Sequence, residues 1–422
     1  MIELYHLSNG LPVVLEPMEW VRSVSIGIYI KVGSAYETTQ TNGLSHLIEH
    51  MLFKGTKHRS GKEIAMAFGK IGGEVNAYTA KEDTCYYAHI LDEHLIEGIE
   101  LLGDMICNST FDPEELRKEI EVILEEIDMY QDSPEDLAIE HLQEISFPHS
   151  SLGFDISGKK EVVSKFQREH IIQFMNDWYT ANNMVISIAG SFDTKTILPV
   201  LEQNFGSIKK GMKTLVKEKS IFVPSYSSIQ KEIEQTHISV GFLGSHYHSK
   251  NKYIQMILNQ CLGDGDDSRL FQKLREDLGL AYSIYSFCEF FYDAGIFQIY
   301  SAMNPQKVQI FFKELHSIFK ELHQIGITED ELTCAKEQLR TGFLMGLDLC
   351  DNRMEQNGKS LLFHRKLQKT EQLIEQLLSI TKDEVNTHIK EHFISHNVSI
   401  SMVENQSRSS KEIEKLWKKY SI

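Results

Sequence analysis

Residues 24–37 read VSIGIYIKVGSAYE, and residues 238–250 read ISVGFLGSHYHSK. Each is an alternating apolar strand that ends at a Gly-Ser, and an amphipathic helical pattern follows each. Working outward, the first half opens with a hairpin signal, two alternating runs at 2–7 and 11–15 flanking Asn9-Gly10. Helical patterns follow at 42–54 and 61–71, then strands near 74–80 and 84–91, several helices from 93 to 178, and a buried strand at 183–189 (NMVISIA). The second half again places two strands after its helix, then long helices, one opened by the capping box Thr328-Glu-Asp-Glu331. Its late strand, 398–402 (VSISM), matches 183–189. The expected fold is α+β: two tandem copies of an α/β sandwich, each an antiparallel-rich sheet with helices packed on it. The lysine-rich stretch with Pro224-Ser-Tyr-Ser-Ser sets the division at 1–210, a linker at 211–228, and 229–422. The plainer alternative is chance likeness between two unrelated α+β domains.

The chain has 422 residues, 41% hydrophobic and 24% charged, which excludes bulk disorder. Its formal charge of −17 repels nucleic acid and anionic membranes and favours cationic partners such as basic peptides. No apolar run approaches the roughly 18 residues that span a bilayer. Residues 1–18 carry no Lys or Arg and do not read as a secretory signal. The six cysteines are scattered without a CxxC pair, so the expected setting is a reducing cytoplasm.

The chemistry begins in Gly43-Leu-Ser-His46-Leu-Ile-Glu49-His50-Met-Leu-Phe53. On a helix His46 and His50 lie one turn apart on one face, with Glu49 on the same flank. Leu44, Leu47, Ile48, Met51 and Leu52 would bury the other side. The order H-x-x-E-H is the inverse of H-E-x-x-H. A catalytic zinc takes three protein ligands and leaves one position for water. It lowers that water's pKa from about 15.7 to roughly 7, and a carboxylate off the metal can move the proton to a leaving amine. The plain alternative is a surface helix with two exposed His and a solvated Glu.

A third ligand is sought on the helix that Asp112, Pro113 and Glu115 open. Its apolar stripe is Leu116, Ile120, Ile123 and Ile127. At about 100° per residue, Glu126 and Glu119 fall on the stripe's shoulder, while Glu114, Glu121 and Glu125 turn to solvent. Glu126 is the acid read as completing the His pair. All of them could instead be surface charge.

These segments resemble the pitrilysin and mitochondrial-processing-peptidase family of inverzincin metalloproteases. The likeness rests on GLSHLIEHMLFKGT (43–56), GGEVNAYTAKEDTCYY (72–87), EIEVILEEIDM (119–129) and SRLFQKLREDLGLAYSIYS (268–286), and it spans the whole chain. Its length is that of the processing-peptidase beta subunit and its bacterial relatives. The resemblance implies a clamshell fold and one zinc per chain held by His46, His50 and Glu126. It makes Glu49 the general base, and Glu119 a carboxylate that orients a ligand His. It places substrate backbone on an edge strand through Gly73, Val75, Asn76 and Ala77. It also implies that Arg275 and Tyr282, seven apart, contact substrate and the developing oxyanion. By residue type alone, that Arg and Tyr read as structural. Aligning Leu262 with Leu52 puts Met256, Asn259 and Gln260 where His46, Glu49 and His50 stand, so the second half lacks the metal motif.

The expected function is a zinc endopeptidase hydrolysing extended or unstructured peptides in an enclosed chamber, as a homodimer. The alternative is a non-catalytic peptide-binding or scaffold subunit of the same fold. The remaining histidines, His246 and His248 or His316 and His323 for instance, are read as surface or core-edge residues without ligand spacing joined to an acid.

Overall fold

The computed structural model describes residues 2–211, 219–393 and 397–420. The chain divides into two compact units, and neither is a contiguous stretch of sequence. The first comprises Met1–Asp128, Phe154–Lys217 and Leu344–Gln368; the second comprises Met129–Gly153, Glu218–Phe343 and Lys369–Ile422. Each unit therefore takes in a helical segment from the other half of the sequence.

The first unit holds a six-stranded sheet: β1 (Glu3–His6), β2 (Pro12–Pro17), β3 (Ser23–Ile30), β4 (Glu74–Thr79), β5 (Thr84–Leu91) and β6 (Met184–Gly190), in the order β1-β2-β6-β3-β5-β4. Only β2 and β6 run parallel. The expected hairpin is there. Gly10 takes φ +86°, and the Asn9 amide donates to the carbonyls of Phe205 and Ile208, tying the turn to a distant segment. In β3, Val24, Ile26, Ile28 and Ile30 join a large core with Leu44, Leu47, Ile48, Met51 and Leu52. The alternate residues Ser25, Gly27 and Tyr29 are buried as well, which requires a second covering layer.

That layer is the helix Cys350–His364, which packs on β3 and β6. Ser25 Oγ hydrogen-bonds Asp351, and Ser187 Oγ donates to the Met354 carbonyl at 2.7 Å. A Cβ on Gly27 would sit 2.9 Å from Met354 Sδ, and one on Gly358 only 2.3 Å from the Tyr29 ring.

The second unit holds β7 (Tyr226–Gln230), β8 (Thr236–Leu243), β9 (Ala281–Phe290), β10 (Gly295–Met303) and β11 (Val398–Glu404), in the order β7-β11-β8-β10-β9. Its one parallel pair, β7 and β11, matches β2 and β6. Ile238, Val240 and Phe242 enter its core. Gly241, which occupies the position of Gly27 in the repeat, faces the helix Pro134–Ser146, where an added Cβ would lie 2.8 Å from Leu142. Two copies of one α+β unit are therefore present, with β1 an addition to the first.

The segment read as a linker needs revision. Residues 212–218, with Lys213 and Lys217, lie outside the described residues. Its far end is already strand, because β7 starts at Tyr226, and Val223 N–H donates to the Ser146 carbonyl at 2.8 Å. Contiguous halves at 1–210 and 229–422 differ from the compact units for one reason: a helix belongs to the sheet that buries it, not to the repeat that encodes it. Among the described residues, no helix is long and apolar enough to cross a membrane.

Gly358→Ala tests this packing. Gly to Ala inside a helix ordinarily stabilises by about 1 kcal/mol. Here the Tyr29 ring should turn that into a loss of about 1–3 kcal/mol, read by urea unfolding. A variant as stable as the parent would refute the close approach.

Candidate metal centre

The helix Leu44–Leu52 starts at Gly43, whose φ of +93° favours glycine. The buried carboxylate of Glu37 caps it, accepting from Gly43 N–H at 2.8 Å and Ser45 N–H at 2.7 Å. Leu44, Leu47, Ile48, Met51 and Leu52 are fully buried, so the orientation of the other face is fixed. That face carries His46, buried, with Glu49 and His50 half-buried.

The opposing helix, Pro113–Asp132, is capped by Asp112, whose Oδ1 accepts from Glu114 and Glu115 N–H at 2.9 and 3.2 Å. Leu116, Ile123 and Ile127 are buried and Ile120 is partly so. Glu114, Glu121 and Glu125 face solvent as their angles predict. Glu119 is only 5% exposed, and Glu126 is half-buried.

The two helices bring three ligand atoms together. His46 Nε2 and His50 Nε2 are 3.2 Å apart, and Glu126 Oε2 lies 3.8 and 3.7 Å from them. Tetrahedral zinc with bonds of about 2.0 Å places its ligand atoms about 3.3 Å apart. The chemistry of the donors also fits a cation. His50 Nδ1 donates to Glu119 Oε1 at 2.9 Å, so in the neutral ring it is Nε2 that presents the lone pair. Burial, followed by the charge of His50, pulls His46 down to about 4, so it is neutral at pH 7. Two lone pairs and a carboxylate converging in a half-buried space repel one another unless a cation sits between them.

Burial works against the charged form of His50. The bond to Glu119 and the charges of Glu119, Glu49 and Glu126 outweigh it and raise its pKa. Burial pushes the Glu49 carboxyl up, opposed by a hydrogen bond from Thr79 and the charge of His50. Thr79 Oγ1 donates to Glu49 Oε2 at 2.5 Å. For Glu119 burial acts upward too, but hydrogen bonds from His50 and Lys54 bring the net shift below the usual carboxylate range. Lys54 Nζ sits 2.6 Å from Glu119 Oε2.

Thr79 ends β4, which is the free edge of its sheet and packs beside the helix Leu44–Leu52. Val75 and Ala77 turn partly into the core. Ala77 N–H is not spent on β5; it donates to Asn76 Oδ1 at 2.9 Å, at the open edge. Gly73 leads into the strand, where a Cβ would lie 2.4 Å from Ile90.

Arg275 and Tyr282 lie in the second unit. Arg275 is in the π-helical segment Phe271–Asp277, and its guanidinium lies 4.7 Å from the Phe271 ring and 5.7 Å from that of Tyr282. Tyr282 is 79% exposed on β9.

Three residues escaped the sequence reading: Glu37, Lys54 and Thr79. Each acts through a partner that only the fold supplies. One expectation also fails. His388-Ile-Lys-Glu391-His392 repeats the H-x-x-E-H pattern on the helix Lys382–His392. His388 is 3% exposed, its ring lies 4.2 Å from that of His392, and neither of its nitrogens has a hydrogen-bond partner among the described residues. Among those residues, only His46, His50 and Glu126 form a group of three able to hold a metal. The second motif is a core pair without a third donor.

Residues 12–160 match the family model described as insulinase, peptidase family M16, and residues 165–339 match that of the peptidase M16 inactive domain. A Bacillus subtilis protein named uncharacterized zinc protease YmxG is 40% identical over 92% of this chain and 94% of its own length. A Rickettsia felis protein, also named an uncharacterized zinc protease, is 37% identical over 95% and 97%. In fold, the crystal structure of a protease from Helicobacter pylori superposes with a TM-score of 0.90 at 20% identity, covering 96% of this chain and 99% of that one. A Pseudomonas fluorescens peptidase M16 inactive domain gives 0.89 at 19% identity, covering 96% and 98%. Sequence and fold agree that this chain belongs to peptidase family M16, the pitrilysin family.

Proposed function

We propose that the chain is a zinc-dependent endopeptidase that hydrolyses extended or unstructured peptides. The observation that carries this is the convergence of His46, His50 and Glu126 ligand atoms within 4.8 Å of one another, beside a carboxylate tied to a free strand edge. His46, His50 and Glu126 would hold the ion. A bound zinc supplies a Lewis acid that acidifies water and polarises a carbonyl.

The chain's own groups do the rest. A peptide adding to β4 presents its backbone in extended form, read through main-chain bonds that tolerate many sequences. Gly73, Val75, Asn76 and Ala77 form that edge. Glu49 takes the proton of the attacking water and returns it to the leaving amine. Its burial favours the protonated form and its bond from Thr79 the ionised one, so it can do both. Arg275 and Tyr282 serve as donors to the developing oxyanion. Both belong to the second unit, which has no metal-holding group among the described residues, and the chain would work as a homodimer. The six free cysteines support a reducing, cytoplasmic setting.

Glu49→Gln should retain one zinc per chain and lose peptide cleavage, measured by metal analysis and a quenched fluorescent peptide. Unimpaired cleavage would refute the role of Glu49, and an active chain insensitive to chelator would refute the metal. A non-catalytic scaffold would hold no zinc and cut nothing. Thr79→Val should lower kcat about tenfold, the scale of one hydrogen bond to a charged group, with zinc content unchanged and Thr79→Ser active. Equal kcat in Thr79→Val would sever that link. The charge of −17 predicts faster cleavage of basic than of matched acidic peptides at low salt, the difference fading as ionic strength rises. Equal rates at low salt would remove the preference.

A further inference from the structure

The carboxylate of Glu119 is shared between two donors, an imidazole and an ammonium. Its Oε1 takes the Nδ1–H of His50 at 2.9 Å and its Oε2 takes Lys54 Nζ at 2.6 Å. The Glu119 side chain is 6% exposed, whereas that of Lys54 is 34% exposed. A buried carboxylate needs full compensation. One imidazole N–H satisfies only one of its oxygens.

Lys54 is held in place to supply the other. It follows the helix that carries His46 and His50, and its N–H donates to the Met51 carbonyl at 3.1 Å. Just beyond it, the Gly55 carbonyl accepts from Thr110 N–H at 3.2 Å, and Thr56 Oγ1 donates to Asp104 Oδ2 at 2.7 Å. The backbone on both sides of Lys54 is thus held in place, so ordering its ammonium costs only the side chain's own rotamer freedom.

The consequence reaches the metal ligands. An ionised carboxylate only accepts, so His50 Nδ1 is the donor, and in the neutral, ligating form of the ring the lone pair is then on Nε2. Nε2 is the atom that lies 3.2 Å from His46 Nε2 and 3.7 Å from Glu126. Lys54 also offsets negative charge. Glu49, Glu119 and Glu126 all surround the site, one more carboxylate than a divalent ion neutralises.

We propose that Lys54 is a positioning residue for metal binding: its ammonium holds Glu119 so that Glu119 fixes His50 as a ligand. The proposal rests on the zinc reading above and adds a residue that touches neither metal nor substrate. Its test is the zinc dissociation constant of the full-length, metal-stripped chain, by competition with a chromophoric chelator. Lys54→Met should weaken zinc binding about 10–100-fold, and Lys54→Arg should restore most of it. In a Glu119→Gln background the further effect of Lys54→Met should fall below about twofold, since coupled residues are not additive. Circular dichroism of the metal-free chains checks folding. If Lys54→Met does not fold, Lys54→Ala, which also removes the donor, makes the same comparison. A Lys54→Met chain that folds and binds zinc within twofold of the parent overturns the proposal, as does an undiminished effect in the Glu119→Gln background. A parent chain that takes up no zinc overturns the zinc reading itself, and with it the proposal.

Discussion

The site depends on one meeting of helices. Leu44–Leu52 and Pro113–Asp132 must pack so that polar groups on the shoulder of each stripe face one another. The buried Glu119 carboxylate marks that meeting, bonded to His50 and Lys54 from the first helix and its exit. A carboxylate this deep is tolerated only with both oxygens satisfied. The packing that buries Ile123 and Ile127 is therefore inseparable from the geometry that aims His50 at Glu126. Stability and chemistry share the same contacts.

The duplicated architecture explains why the site is so well supported. Both sheets are buried on two faces, one against the helices of their own repeat and one against a helix from the other half of the sequence. Gly27 and Gly241, equivalent in the repeat, make room for those borrowed helices. With its interior strands buried on both faces, the first sheet is a stiff platform, and its open edge β4 delivers Thr79 to Glu49. A catalytic group on a rigid element keeps its geometry better than one on a loop.

Much of this was legible in the residues. Period-2 runs marked β3 and β8, a buried apolar run marked β6 and its match marked β11, and Asp112-Pro113 marked the start of the long helix to the residue. Helical angles separated Glu119 and Glu126 from their solvated neighbours, because burial on a helix follows a fixed rotation per residue. The end of the linker was misread because Tyr226–Gln230 has too few apolar residues to announce a strand. It is one because β11 pairs with it. The discontinuous units were invisible, since which sheet a helix covers is a matter of distant packing.

The clearest division lies between two five-residue motifs. The chain writes H-x-x-E-H at 46–50 and again at 388–392. Sequence alone determined that each puts two imidazoles one turn apart on a helix, because that spacing is a property of the helix itself. Only the tertiary structure decided which could hold an ion. At 46–50 a second helix brings Glu126 within reach and Glu119 turns the ring. At 388–392 the first ring is buried with both nitrogens unpartnered, and no third donor arrives among the described residues. A metal site is a convergence of groups distant in the chain, and local periodicity carries no information about which distant group arrives.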